Sequence, residues 1–176
     1  RPNLRIFSRE SQHSWRKESL DSPEEVRMNR RLIILRHAHS SRDDPDLDDH
    51  DRPLDEIGLR DSPIVAREII QRGWKPDHIF VSSSLRTLQT LENMGPQFSE
   101  IPKSIEGELY QASLPTLLSM ADKIDEGRTE MIIGHNPGCE MLLESMTGNL
   151  EMLPTCSASL ISMVGGKWIL NDIIRP

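Results

Sequence analysis

The sequence predicts an α/β domain, a three-layer sandwich whose mostly parallel, mixed sheet carries helices on both faces. Three observations predict it. Short continuous apolar runs recur at 32–35 (LIIL), 78–82 (HIFVS) and 130–134 (EMIIG), as in strands buried on both faces. Stretches with helical apolar spacing lie between them. Two more strand-like runs, ASLISMV (158–164) and KWILNDI (167–173), flank Gly165-Gly166. A hairpin there would close the chain and make the sheet mixed.

LIIL is the first strand. Residues 56–72 read as helix, with Asp55 as N-cap and Ile64, Val65, Ile69 and Ile70 inward. Pro63 predicts a fresh start within that stretch, capped by Asp61 or Ser62. HIFVS is the second strand. Helix follows from 85 to 94 and stops before Gly95-Pro96. Residues 105–110 read as extended. Residues 114–124 place Leu114, Leu117, Leu118, Ala121 and Ile124 on one helical face. EMIIG is the third strand. A helix then runs from Pro137 to about 146 and ends at Thr147-Gly148.

The chain has 176 residues, of which 36% are hydrophobic and 28% charged. That suits one domain, since a single core serves roughly 100–200 residues. No apolar run approaches the ~20 residues of a membrane helix. A net charge of −7 argues against broad binding to DNA or RNA. Two cysteines, Cys139 and Cys156, are too few for a disulfide scaffold or a four-cysteine zinc site. They read as free, buried thiols in a reducing compartment.

The division expected is an N-terminal extension over 1–30 and one domain over 31–176. The chain starts at Arg1 and reads as a fragment or processed product. Residues 1–20 are rich in arginine and serine, as in the remnant of an organellar transit peptide. An extension without an address fits equally. Localisation is therefore read as intracellular, in the cytoplasm or in a plastid or mitochondrion. Ser22, Pro23 and Glu25 look like a helix start. The extension is expected not to fold onto the domain.

Three strands end alike. LIIL runs into Arg36-His37, HIFV into Ser82-Ser83-Ser84 with Arg86 just beyond, and MIIG into His135-Asn136-Pro137. The C-terminal ends of parallel strands share one edge, where ligands bind. Two of these junctions also aim a helix N-terminus at that edge, which favours anions. Two arginines and two histidines beside two helix N-termini describe a pocket for a tetrahedral oxyanion such as phosphate. Arginine suits phosphoryl oxygens because its charged planar fork bonds two at once. A neutral imidazole can attack phosphorus and carry the phosphoryl group. Surrounding positive charge would hold it neutral.

These residues also carry a resemblance. Arg36-His37-Ala38 after an apolar strand resembles the RHG/RHA signature of the histidine phosphatase superfamily, the phosphoglycerate-mutase-like fold. SSSLRTLQT (82–90) is similar to its S-S-P-x-R-A-x-Q-T stretch, and GHNPG (134–138) to its second histidine motif. RPLDEIG (52–58) resembles R-P-L-T-x-x-G, and ELYQAS (108–113) resembles E-x-L-Y-x-A. The five stand in the family's order across residues 31–176, and the SixA-type phosphohistidine phosphatase branch is the best match.

The resemblance implies a phosphatase that needs no cofactor and no metal. It makes His37 the nucleophile, with Arg36 and Arg86 clamping the phosphate and Arg52 adding a contact. A surface ion pair with nearby aspartates is the alternative for Arg52. His135 would hydrogen-bond the phosphate. Gln89 and Thr90 would lie on the helix that positions Arg86 rather than touch substrate. Glu108 is the general acid suggested by the motif, with Glu106, Asp43 and Asp44 as alternatives. Ser84 stands where the family has proline, a change of little consequence because serine also caps helices.

The resemblance to the SixA-type branch implies phosphohistidine on a protein as the substrate, and short loops, which would leave the site open and shallow, suit a protein surface. Small phosphomonoesters such as sugar phosphates are the alternative, and a phosphate-binding module without turnover is the rival. No nucleic acid or membrane partner is expected. The loop 43–51 (DDPDLDDHD) holds six aspartates and His50. It reads as a solvated acidic loop or an anion-repelling rim. Its partial match to a calcium loop fails at Asp49, where glycine is required.

Overall fold

A computed structural model describes residues 29–176 of the chain. The readings of the N-terminal extension, including a helix start at Ser22-Pro23-Glu25, lie outside the described residues.

Six strands form one sheet: β1 (Arg31–Arg36), β2 (His78–Ser82), β3 (Lys103–Glu106), β4 (Thr129–Gly134), β5 (Ala158–Val164) and β6 (Lys167–Ile174). Their order is β3-β2-β4-β1-β5-β6. The pairs β1–β4, β4–β2 and β2–β3 are parallel. The hairpin β5–β6 adds antiparallel pairing beside β1. Gly165 and Gly166 make its two-residue turn, both with positive φ, which glycine adopts without a steric penalty. The sheet is mixed and mostly parallel, as expected.

Five helices follow: α1 (Glu56–Gln71), α2 (Leu85–Asn93), α3 (Pro96–Ser99), α4 (Leu114–Ala121) and α5 (Gly138–Thr147). They cover both faces. Alternate residues of a strand point to opposite faces. Ile33 and Leu35 of β1 therefore join Val65, Ile69 and Phe98 in one core. Leu32 and Ile34 join Leu117, Leu142 and Leu143 in the other. This double burial is why the run is continuously apolar rather than alternating.

Several local expectations need correction. Helix α1 does not restart at Pro63 and runs unbroken through it. Pro63 lies on the exposed side, where water can satisfy the carbonyl it leaves unpaired. The buried stripe of α1 passes through Ser62, Val65, Ala66 and Ile69, leaving Ile64 exposed. Residues 105–110 are not one extended segment. Strand β3 ends at Glu106, and Gly107–Leu109 forms a 3-10 turn that buries Leu109. The short helix α3 was not anticipated. It follows Gly95, at φ 91°, and buries Phe98.

Asp55 caps α1 as expected, accepting the Gly58 N–H at 3.0 Å. Gly148 ends α5 in the left-handed conformation. Cys139 and Cys156 are free and buried. Burial pushes both thiols up to about 12.

Candidate active site

The middle strands β2, β4 and β1 are neighbours, and their C-terminal ends open on a cavity of about 620 Å³. Arg36, His37, Arg52, Arg86 and His135 all line it. The expected convergence of residues about 100 positions apart is therefore observed.

His37 follows β1 and is 8% exposed. Its Nδ1 lies 2.7 Å from the Ala38 carbonyl. A carbonyl only accepts, so Nδ1 carries the proton and Nε2 keeps a lone pair. Arg86 Nε donates to that Nε2 at 3.3 Å. Burial above all, with Arg86, Arg36 and Arg52 adding, lowers the His37 pKa to about 4. The ring is neutral at physiological pH.

Arg36 closes β1. Its Nη1 donates to the Leu153 carbonyl at 2.8 Å, while its buried Nε has no partner. Arg86, in the first turn of α2, is buried. Ser84 precedes that helix as N-cap, but its hydroxyl meets the Thr87 hydroxyl at 2.9 Å and bonds no helical N–H.

His135 follows β4, its ring 5.2 Å from that of His37. Its Nδ1 lies 3.3 Å from Arg86 Nη2, and its Nε2 lies 2.8 Å from Ser82 Oγ. The guanidinium only donates, so Nδ1 accepts and Nε2–H donates to the serine. Burial, then His37 and Arg86, lower its pKa to about 3.

Arg52 is mostly buried. It lines the cavity and also pairs with Asp49, its Nε donating to Oδ1 at 3.0 Å. Its Nη1 donates to Ser40 Oγ and the Ser41 carbonyl.

The carboxylates fall elsewhere than expected. Glu108 is exposed, and neither it nor Glu106 lines the cavity. The 3-10 turn points Leu109 inward and Glu108 outward. Asp43 and Asp44 are exposed and off the cavity wall. The carboxylate that does line it is Asp49. It accepts from Arg52, from Arg86 Nη2 at 3.0 Å and from the Tyr110 hydroxyl at 2.8 Å. The Tyr110 hydrogen bond chiefly, with Arg86 and Arg52 adding, lowers its pKa to about 2.

The loop 43–51 is largely exposed, but two of its residues also contact the site. Asp49 binds the arginines, and His50 Nε2 meets Ser83 Oγ at 3.0 Å. Asp49, Tyr110 and Ser82 are the site residues that the sequence reading assigned no role. The spacing of Asp49 and Arg52, three apart, was the available signal for the first. Among the described residues, no three His, Cys, Asp or Glu are grouped to hold a metal ion. None of the described helices is long and apolar enough to cross a membrane.

No protein-family model matches the chain. An uncharacterized chloroplastic protein of Arabidopsis thaliana is 38% identical over 154 residues, covering 80% of this chain and 70% of that protein. A crystal structure named as that of the putative phosphohistidine phosphatase SixA from Agrobacterium tumefaciens superposes with a TM-score of 0.74 at 29% identity. That match covers 83% of this chain and 97% of the other. The chain belongs to the histidine phosphatase superfamily, in its SixA branch. A structure of the protein histidine phosphatase SixA with tungstate shares the fold at TM-score 0.68 and 18% identity. That match covers 82% of this chain and 96% of the other.

As a histidine phosphatase superfamily member, this chain is an enzyme of the phosphatase class. The superfamily's motifs map onto distinct structural tasks here. In the RHA motif, Ala38 is fully buried and gives its N–H to Thr90 Oγ1 at 2.9 Å. In the arginine motif, Gln89 Oε1 accepts the Leu54 N–H at 2.8 Å, tying α2 to the RPL segment. Gln89 and Thr90 thus hold other segments to the helix of Arg86.

Proposed function

We propose that this phosphatase works through a phosphohistidine on His37 and acts on phosphohistidine in proteins. The single observation that carries the reading is the state of His37: Nδ1–H tied to a carbonyl, Nε2 unprotonated and facing Arg86. That is the nucleophilic form of imidazole.

In the first step, Nε2 attacks phosphorus. The Nε2–P bond forms, and the bond from phosphorus to the leaving group breaks. Arg36, Arg52 and Arg86 balance charge on the three equatorial oxygens. The unpaired Nε of Arg36 is a donor available for one of them. His135 adds a hydrogen bond, and the Ser82 hydroxyl allows its proton to sit on either nitrogen because it can donate or accept. A phosphohistidine substrate departs as imidazole once its ring nitrogen is protonated. Such a leaving group needs little help from a positioned acid, which accords with Glu108 lying outside the cavity. In the second step, water attacks phosphorus, the Nε2–P bond breaks and inorganic phosphate leaves.

Small phosphomonoesters form a second reading. A cavity of about 620 Å³ is within the usual range for small-ligand sites. The name of the Arabidopsis relative places that protein in the chloroplast. Together with the Arg- and Ser-rich residues 1–20, it supports an organellar location for this chain.

The test is trapping. The protein is mixed with a phosphohistidine protein labelled in its phosphate, then denatured at high pH. A label that survives base, falls off in acid and vanishes in His37→Ala is expected. No label and no turnover of any phosphomonoester would instead leave a phosphate-binding module. Comparing kcat/KM for the phosphoprotein with that for a sugar phosphate separates the two substrate readings.

A further inference from the structure

The phosphate cradle holds an anion of its own. Asp49 places one carboxylate oxygen on Arg52 Nε and the other on both Arg86 Nη2 and the Tyr110 hydroxyl. Its backbone carbonyl takes Arg86 Nη1 as well. Arg86 thus spends Nη1 and Nη2 on Asp49, with Nη2 also reaching His135, and Nε on His37. These are charge-assisted bonds, about twice as strong as neutral ones. The carboxylate itself is about half exposed, so it can swing out into water. Other aspartates of the loop, such as Asp48, are exposed and make no such contact.

We infer that Asp49 is a specificity-determining residue, a tethered anion that competes with phosphate for Arg52 and Arg86. The inference rests on the reading that these arginines receive the phosphoryl group. A tethered competitor is always present at high effective concentration. A singly charged anion gains little by displacing it, since one negative charge replaces another. A doubly charged phosphoryl group adds a second negative charge to the same arginines and wins the exchange. The same competition loosens inorganic phosphate after turnover and speeds its release. Asp49 therefore selects dianions and limits product inhibition.

The experiment is calorimetric titration of the purified chain with inorganic phosphate. Asp49→Asn is expected to bind phosphate at least tenfold more tightly than the wild-type chain. Asp48→Asn removes the same charge one residue away and should change affinity less than twofold. Equal affinities in wild type and Asp49→Asn would overturn the inference. So would equal tightening in both variants, which would mean diffuse charge rather than occupancy. If wild type and both variants all fail to bind phosphate, the reading of the cradle fails first. A phosphate-bound structure of the wild-type chain gives a second test, independent of any variant's folding. Asp49 should then lie beyond hydrogen-bond reach of Arg86, and a retained bond would sink the idea.

Discussion

The hydroxyl of Thr90 accepts the Ala38 N–H at 2.9 Å and donates to the Arg86 carbonyl at 2.6 Å. One buried side chain thus sets the distance between the segment of His37 and the helix of Arg86. Thr90→Val keeps the shape but leaves the Ala38 N–H unsatisfied. The expected cost is about 1–3 kcal/mol, read as a lower denaturant midpoint. Turnover should fall at least tenfold, and Thr90→Ser should restore most of it. Normal turnover in Thr90→Val would remove Thr90 from the positioning machinery.

Acid should weaken the fold through the two site histidines. Their folded-state pKa values are about 4 and about 3, below the ordinary 6.5. Between those values the unfolded chain binds more protons. Stability therefore rises with pH through this window, is complete above about 6.5, and is lost on acidification. Asp49 adds nothing to the slope above about pH 5, because its lowered pKa and the ordinary value both lie below that. Denaturant titrations at pH 7 and pH 5 should show the loss. His37→Asn should make it smaller, and an unchanged slope would count against the burial argument.

Gly58 leaves no room for a side chain. A Cβ there would sit 2.2 Å from the His39 carbonyl oxygen. Gly58→Ala must push back the segment that also carries His39 and Ser40 at the cavity wall. A cost of about 1–3 kcal/mol is expected, lowering Tm by several degrees. A melting curve matching wild type would contradict it.

Glu108→Gln should leave kcat/KM within about threefold of wild type, because Glu108 is exposed and off the cavity wall. Arg86→Lys should lower it at least 100-fold although the charge is kept. A lysine ammonium cannot reproduce the planar fork. The opposite ranking of the two variants would restore Glu108 as the acid.

The sheet and the histidine–arginine cluster were legible because each rests on local signals. Apolar runs gave the strands, and the polar residues after them share an edge in any parallel sheet. Asp49 was only faintly legible: its spacing of three from Arg52 marks a pair, but its other partners, Arg86 and Tyr110, are 37 and 61 positions away. Glu108 lies off the cavity wall for a related reason. Its motif is present, but one 3-10 turn decides which residues of 107–109 face the cavity. Pro63 misled because a helix-breaking residue is harmless on a solvent-facing turn.

Strand β4 lies between β1 and β2, although both precede it in the chain. On a ribosome, the halves carrying His37 and Arg86 emerge first and cannot yet adopt their final spacing. The gap they must leave is one strand wide, with neighbouring strands ~4.8 Å apart on each side. Only when residues 129–134 arrive can β4 take the place between them and bring His135 with it. A nascent chain truncated before that point would carry Arg36, His37, Arg52 and Arg86 without His135 or the strand that lies between their own. Strand order alone thus keeps the cluster of histidines and arginines incomplete until the middle of the sheet is filled.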